Sequence, residues 1–189
     1  VHYYTLGEER WHGSKTWPPK NTAKILYLAA DKSMSDNPPV LEHSASYHVD
    51  EKSTTGKNSR WDCLLGNVLF DPYSKRKSED KHNICFDTAP LEKSLTITGN
   101  PVAKIFVKPN GKDCSLCVYL EDVGKDGSVN YVTEGEILCG NTLNPSYTPK
   151  YKTVSPMRSF QKADYLEFSP REVRQVDLEL FPMSYQFRK

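Results

Sequence analysis

Apolar and polar residues alternate with period two through three short runs in the middle of the chain, the pattern of strands with one face buried. Leu95 and Ile97 share a face against Ser94, Thr96 and Thr98. Ala103, Ile105 and Val107 oppose Lys104 and Lys108, and Leu116, Val118 and Leu120 oppose Cys117, Tyr119 and Glu121. Gly99, Asn100 and Pro101 separate the first two runs, and Pro109, Asn110 and Gly111 the next two. Proline fixes φ and glycine tolerates positive φ, so both separators are turn signals. The pattern predicts three strands in a meander or a sandwich.

The same reading extends outward. Residues 24–30 are a continuous apolar run, as expected of a strand buried on both faces. Residues 41–50 alternate, with Ala45 and Tyr47 against Ser44, Ser46 and His48, and predict one more strand. Asp126 and Gly127 signal a tight hairpin, after which Val129, Tyr131 and Thr133 carry the sheet on to Ile137 and Leu138. Val176, Leu178 and Leu180 against Asp177 and Glu179 make another one-sided strand. Residues 51–82 and 140–164 break the pattern and read as long irregular connections, of which the first is long enough to suggest a functional or docking role. No stretch keeps a 3.6-residue apolar period over three turns, so helix is expected to be minor.

Composition agrees with many short strands joined by turns: thirteen prolines, ten glycines and eleven tyrosines in 189 residues. Lys and Arg number 25 and Asp and Glu 24, and a net charge of +1 gives no reason to expect nucleic acid or an anionic membrane as partner. No apolar run approaches the ~20 residues of a membrane span, and no signal-peptide segment opens the chain. It opens in strand-like residues, His2 to Leu6, and so reads as a piece of something longer. Five cysteines at irregular spacing, Cys63, Cys85, Cys114, Cys117 and Cys139, favour a reducing, cytoplasmic compartment, with secretion as the alternative. Cys114 and Cys117 have zinc-like spacing but no second pair or nearby histidine to complete a site. At the entry of a strand they should face opposite ways, as separate thiols.

Catalytic chemistry is not evident. A serine nucleophile of the α/β type needs a Gly-x-Ser-x-Gly elbow between a parallel strand and a helix. Neither that pentapeptide nor a βαβ pattern occurs. His2, His12, His43, His48 and His82 are scattered without metal-ligand spacing, and no phosphate-binding glycine loop is present. The reading is of a chain with no catalytic residues, no metal and no cofactor.

The run Phe86, Asp87, Thr88, Ala89, Pro90, Leu91, followed by residues 95–99 and by Leu120, Glu121, Asp122 and Val123, resembles the C-terminal domain of the X-Pro dipeptidyl-peptidase and cocaine esterase (CocE/NonD) serine hydrolases. Gly7, Trp11, Trp17, Pro18 and Pro19 are similar to that family's opening segment, and residues 173–187 to its closing strand region. The resemblance implies an all-β fold with little helix, a galactose-binding-like jelly-roll β-sandwich spanning residues 1–189 as a single domain. It implies that the domain is a C-terminal fragment of a larger hydrolase whose α/β-hydrolase catalytic domain, in the same parent chain, is its partner. That domain would hold the Ser-Asp-His triad and cleave esters or X-Pro bonds, while this one braces it and shapes the substrate entrance. Family members continue past Lys189 with Gly-His and further core strands, so the last strands are expected to be missing from the chain or from the sequence given. Glu136 stands where the family usually has an apolar or aromatic residue.

Interface with the hydrolase domain is the role expected of Trp11, Trp17, Trp61, Leu64, Leu65 and Phe70. The last four lie in residues 56–70, a stretch too apolar for a free loop. Plugging one end of the sandwich is the competing role for that stretch. The other function considered is a stand-alone carbohydrate-binding module, in which such aromatics stack on sugars. A homo-oligomer also stays open.

Overall fold

The computed structural model describes residues 1–50, 73–151 and 153–189. Among them the order is β1 (His2–Thr5), β2 (Arg10–Gly13), β3 (Tyr27–Leu28), β4 (Ser33–Ser35), α1 (Arg76–Glu79), β5 (Asp87–Thr88), β6 (Leu95–Gly99), β7 (Val102–Val107), β8 (Ser115–Val123), β9 (Val129–Leu138), β10 (Arg174–Glu179) and β11 (Met183–Phe187). Two 3-10 turns, Asp80–His82 and Lys162–Asp164, complete the list. The fold is all-β, and no helix among the described residues is long and apolar enough to cross a membrane.

The three central strands form where alternation placed them, but they do not pair with one another. β6 pairs with β11, β7 with β10 and β8 with β9, which rules out a meander. β7 and β10 run antiparallel, with Ile105 opposite Val176 and Ala103 opposite Leu178. After Gly99, at φ +142°, the Pro101 carbonyl accepts the Leu180 amide at 2.9 Å and so ties β7 to the end of β10. The separator redirects the chain to another partner instead of closing a hairpin.

The chain divides into two compact units. The first comprises Val1–Lys20, Thr96–Leu120 and Val132–Gln186. Its core gathers Ile137, Cys139, Phe168, Val176 and Leu178, with Ala103, Val107, Cys114, Leu116 and Val118 packed against them. Burial of these side chains, each worth ~1.5–3 kcal/mol, is what holds strands of only five to ten residues together. Gly135 lets β9 approach the segment after β10: a Cβ there would run into the Glu179 carbonyl oxygen and lie 3.1 Å from the Leu180 Cα. Glu136 is exposed beside buried Ile137, so its charge is solvated. The Ser184 hydroxyl lies 2.7 Å from both the Thr5 and Thr98 hydroxyls, so these interior hydroxyls satisfy one another. In the irregular stretch, buried Arg158 donates to the Asn141 carbonyl at 2.7 Å and the Asp177 carbonyl at 2.6 Å. Burial lowers the pKa of its guanidinium from the ordinary value.

The second unit comprises Asn21–Leu95, Glu121–Tyr131 and Phe187–Lys189. Here β4 lies between β3, antiparallel to it, and β5, parallel to it. Arg76 is 3% exposed and donates to Glu121 and, at 3.0 Å, to Asp80. Burial raises the Glu121 pKa even though the guanidinium opposes the shift. Tyr73 stacks on Tyr131 with centroids 4.1 Å apart. Between β8 and β9 the Gly124 amide donates to the Ser128 carbonyl at 2.9 Å, and Gly127 adopts φ +74°, as a glycine turn requires.

Of the two strands expected in this unit, one is cut to two residues and the other does not form. Of residues 24–30 only Tyr27 and Leu28 pair, and both are exposed, as is Ile25. Tyr27 and Leu28 lie on an edge strand of the three-stranded sheet, where the buried two-faced strand expected of residues 24–30 does not form. Residues 41–50 form no strand at all. Their alternation is real, but they pair with no strand among the described residues.

Candidate interface site

β1 and β2 form an antiparallel hairpin in which Tyr3 faces His12 and Tyr4 faces Trp11. Alternation therefore sends the two aromatic pairs to opposite faces. The Tyr3 ring stacks on His12 at 5.4 Å and meets the edge of Trp17 at 5.6 Å. The Trp17 indole N–H donates to Asn100 Oδ1 at 2.8 Å, and Asn100 Nδ2 donates to Glu179 Oε1 at 2.7 Å. The peptide bond between Trp17 and Pro18 is cis. This face of the hairpin is fixed to its own unit.

The other face is open. Trp11 is 69% exposed and meets Tyr4 edge-on at 5.4 Å. The Tyr4 hydroxyl donates to Glu9 Oε2 at 2.7 Å, and Glu9 Oε1 accepts the Gly7 amide at 3.0 Å. That hydrogen bond, with a smaller contribution from burial, raises the Tyr4 pKa. Gly7 adopts φ +81°, where a Cβ would run into the Gln186 backbone, and Leu6 bonds Ser184 and Gln186 of β11 on either side. The hairpin is thus a rigid mount for the Tyr4–Trp11 pair.

Of the expected interface residues, the structure places Trp11 on the surface and Trp17 half-buried in an internal network. Trp61, Leu64, Leu65 and Phe70, and with them the reading of residues 56–70, lie outside the described residues. Tyr4, the partner that orients Trp11, had no signal in the sequence beyond its place in a strand-like run. Cys114 packs against the core and Cys117 is exposed, so the two thiols face different surroundings. Burial, then the neighbouring Cys114 thiol, pushes the Cys139 pKa up to about 12. No group of three His, Cys, Asp or Glu among the described residues could hold a metal ion.

The family model of the X-Pro dipeptidyl-peptidase C-terminal non-catalytic domain matches residues 1–189. The chain belongs to this family. The match covers the hairpin, the core strands and the irregular connections together. Similar proteins include candidate serine esterases of Mycobacterium bovis and Mycobacterium tuberculosis, each 35% identical over 189 residues. The cocaine esterase of a Rhodococcus species is 25% identical over 145 residues, 71% of this chain and 25% of that enzyme. The chain spans only 30% of the length of the mycobacterial relatives. A crystal structure of a CocE/NonD family hydrolase from Staphylococcus aureus shares the fold, with a TM-score of 0.68 over 99% of this chain and 30% of that one, at 16% identity. The carbohydrate-binding reading gains no support from these relatives.

Proposed function

We propose that this non-catalytic domain braces an α/β-hydrolase domain of the same parent protein and forms part of the wall of its substrate entrance. The observation that carries the reading is the match of the whole chain to a non-catalytic C-terminal family, in relatives more than three times its length. The exposed Trp11 ring, set against half-buried Tyr4, supports it. An aromatic ring held by a rigid hairpin and left in solvent is the kind of anchor that dominates domain and protein interfaces. Trp17 fixes the base of that mount. The names of the mycobacterial and Rhodococcus relatives favour ester hydrolysis as the parent reaction.

The test is Trp11→Ala in the intact protein. Removal of a buried interfacial aromatic costs ~2 kcal/mol or more of association. The expected result is a hydrolase domain that unfolds at lower temperature while this domain's own transition stays in place. An unchanged hydrolase transition would overturn the assignment of Trp11 to the interface.

A further inference from the structure

Two turns carry a residue pair able to close a ring on itself: Asn110 with Gly111, between β7 and β8, and Asp126 with Gly127, between β8 and β9. In such a pair the glycine nitrogen attacks the side-chain carbonyl before it, and glycine has no Cβ to block the approach. The fold treats the two pairs differently.

At the Asp126 turn both reacting groups are tied. The Gly127 amide donates to the Gly124 carbonyl at 2.8 Å. Asp126 Oδ1 accepts the Ser128 amide at 3.0 Å and the Ser128 hydroxyl at 2.7 Å, the bonding of an Asx turn. The hydroxyl first, then the amide, lowers the Asp126 pKa, and an ionised carboxylate resists attack.

At the Asn110 turn neither group is tied. Asn110 and Gly111 are exposed, and neither the Asn110 side chain nor the Gly111 amide bonds a partner among the described residues. A Cβ on Gly111 would meet only the Asp113 carbonyl oxygen, at an ordinary 3.7 Å, so the space beside it is open. The chain is held on either side of the pair: Val107 lies opposite Arg174, and the Lys112 carbonyl accepts the Phe168 amide at 2.7 Å. Rotation at Asn110 and Gly111 breaks neither anchor.

We propose that Asn110 is a site of spontaneous deamidation in the folded protein, and that the Asp126–Gly127 turn is protected from the equivalent reaction. The Gly111 nitrogen bonds to Asn110 Cγ, the bond from Cγ to the side-chain nitrogen breaks, and ammonia leaves with the Gly111 amide proton. Water then opens the cyclic imide at one carbonyl to give aspartate, or at the other to give isoaspartate, whose main chain runs through Cγ. One water is consumed for each ammonia released, with no change of oxidation state. The new carboxylate stands in sequence between Lys108 and Lys112 and cancels the chain's formal net charge of +1.

The experiment ages the intact protein in mildly alkaline buffer and follows it by isoelectric focusing and peptide mapping. The expected result is an acidic species whose peptide spanning residue 110 has exchanged an amide NH2 for OH and separates into aspartate and isoaspartate forms. The peptide spanning Asp126 should stay a single form. Asn110→Gln should abolish the conversion at residue 110, and Gly111→Ala, whose added methyl has room, should slow it. A free peptide of residues 105–116 gives the rate without the fold. Conversion in the protein far slower than in that peptide, or isomerisation at Asp126 as fast as conversion at Asn110, would each overturn the proposal.

Discussion

Substitution of Trp17 by Phe tests whether the hairpin is anchored as the structure shows. Phenylalanine keeps an aromatic edge for Tyr3 but removes the indole N–H that donates to Asn100 Oδ1 at 2.8 Å. A net hydrogen bond contributes ~1 kcal/mol, and leaving a half-buried acceptor without its donor adds a further ~1 kcal/mol. The total of ~2 kcal/mol corresponds to a fall of ~4–8 °C in the domain's midpoint at this chain length. Asn100→Ala removes the same bond together with the one to Glu179, so the two changes share a term. In a double-mutant cycle followed by denaturant unfolding, a coupling of ~1 kcal/mol is expected. Additivity to within ~0.3 kcal/mol would show that the indole bond carries no stability, and the anchoring argument would fall. Trp11→Ala supplies the contrast. A ring so exposed should cost the domain's own transition ~0.5 kcal/mol or less.

Gly135→Ala forces β9 and the end of β10 apart, because the new Cβ meets backbone and not a movable side chain, and should cost ~1–3 kcal/mol in chemical denaturation. A wild-type midpoint in that variant would mean the strands are not so close. Arg158→Met strands two backbone carbonyls and should cost ~2–4 kcal/mol, whereas a loss below ~0.5 kcal/mol would make the arginine a surface residue. The folded chain keeps the Cys139 proton to about 12, while the unfolded chain releases it near the ordinary thiol value of ~8.5. Stability from this group is therefore complete below that value and falls as pH rises through the window. Comparison of unfolding at pH 7 and pH 10 should show a smaller loss in Cys139→Ala than in wild type, and equal losses would refute the shift.

The strands were legible because alternation is a local property that burial makes necessary. Leu95, Ile105, Val118 and Val176 all sit in the strands their neighbours predicted. Pairing was not legible, since nothing in residues 95–123 says that β6 seeks β11 and β7 seeks β10, far along the chain. The same limit applies to residues 41–50, where the period is present but no pairing partner stands among the described residues. Burial was least legible where it is polar. Arg76 and Glu134 are 3% and 1% exposed in stretches that read as a mixed-charge loop and a strand face. Trp11 and Trp17 read alike in the sequence, and only the folded chain separates them: the β1–β2 register sets Trp11 beside Tyr4 on the open face, while Trp17 bonds inward to Asn100.

The bracing function stands or falls on one comparison, the thermal inactivation and KM of the intact hydrolase against those of its catalytic part with residues 1–189 removed. A brace that also lines the entrance should leave the truncated enzyme inactivating several degrees lower and binding substrate more weakly. A truncated enzyme with the same inactivation temperature and the same KM would contradict it.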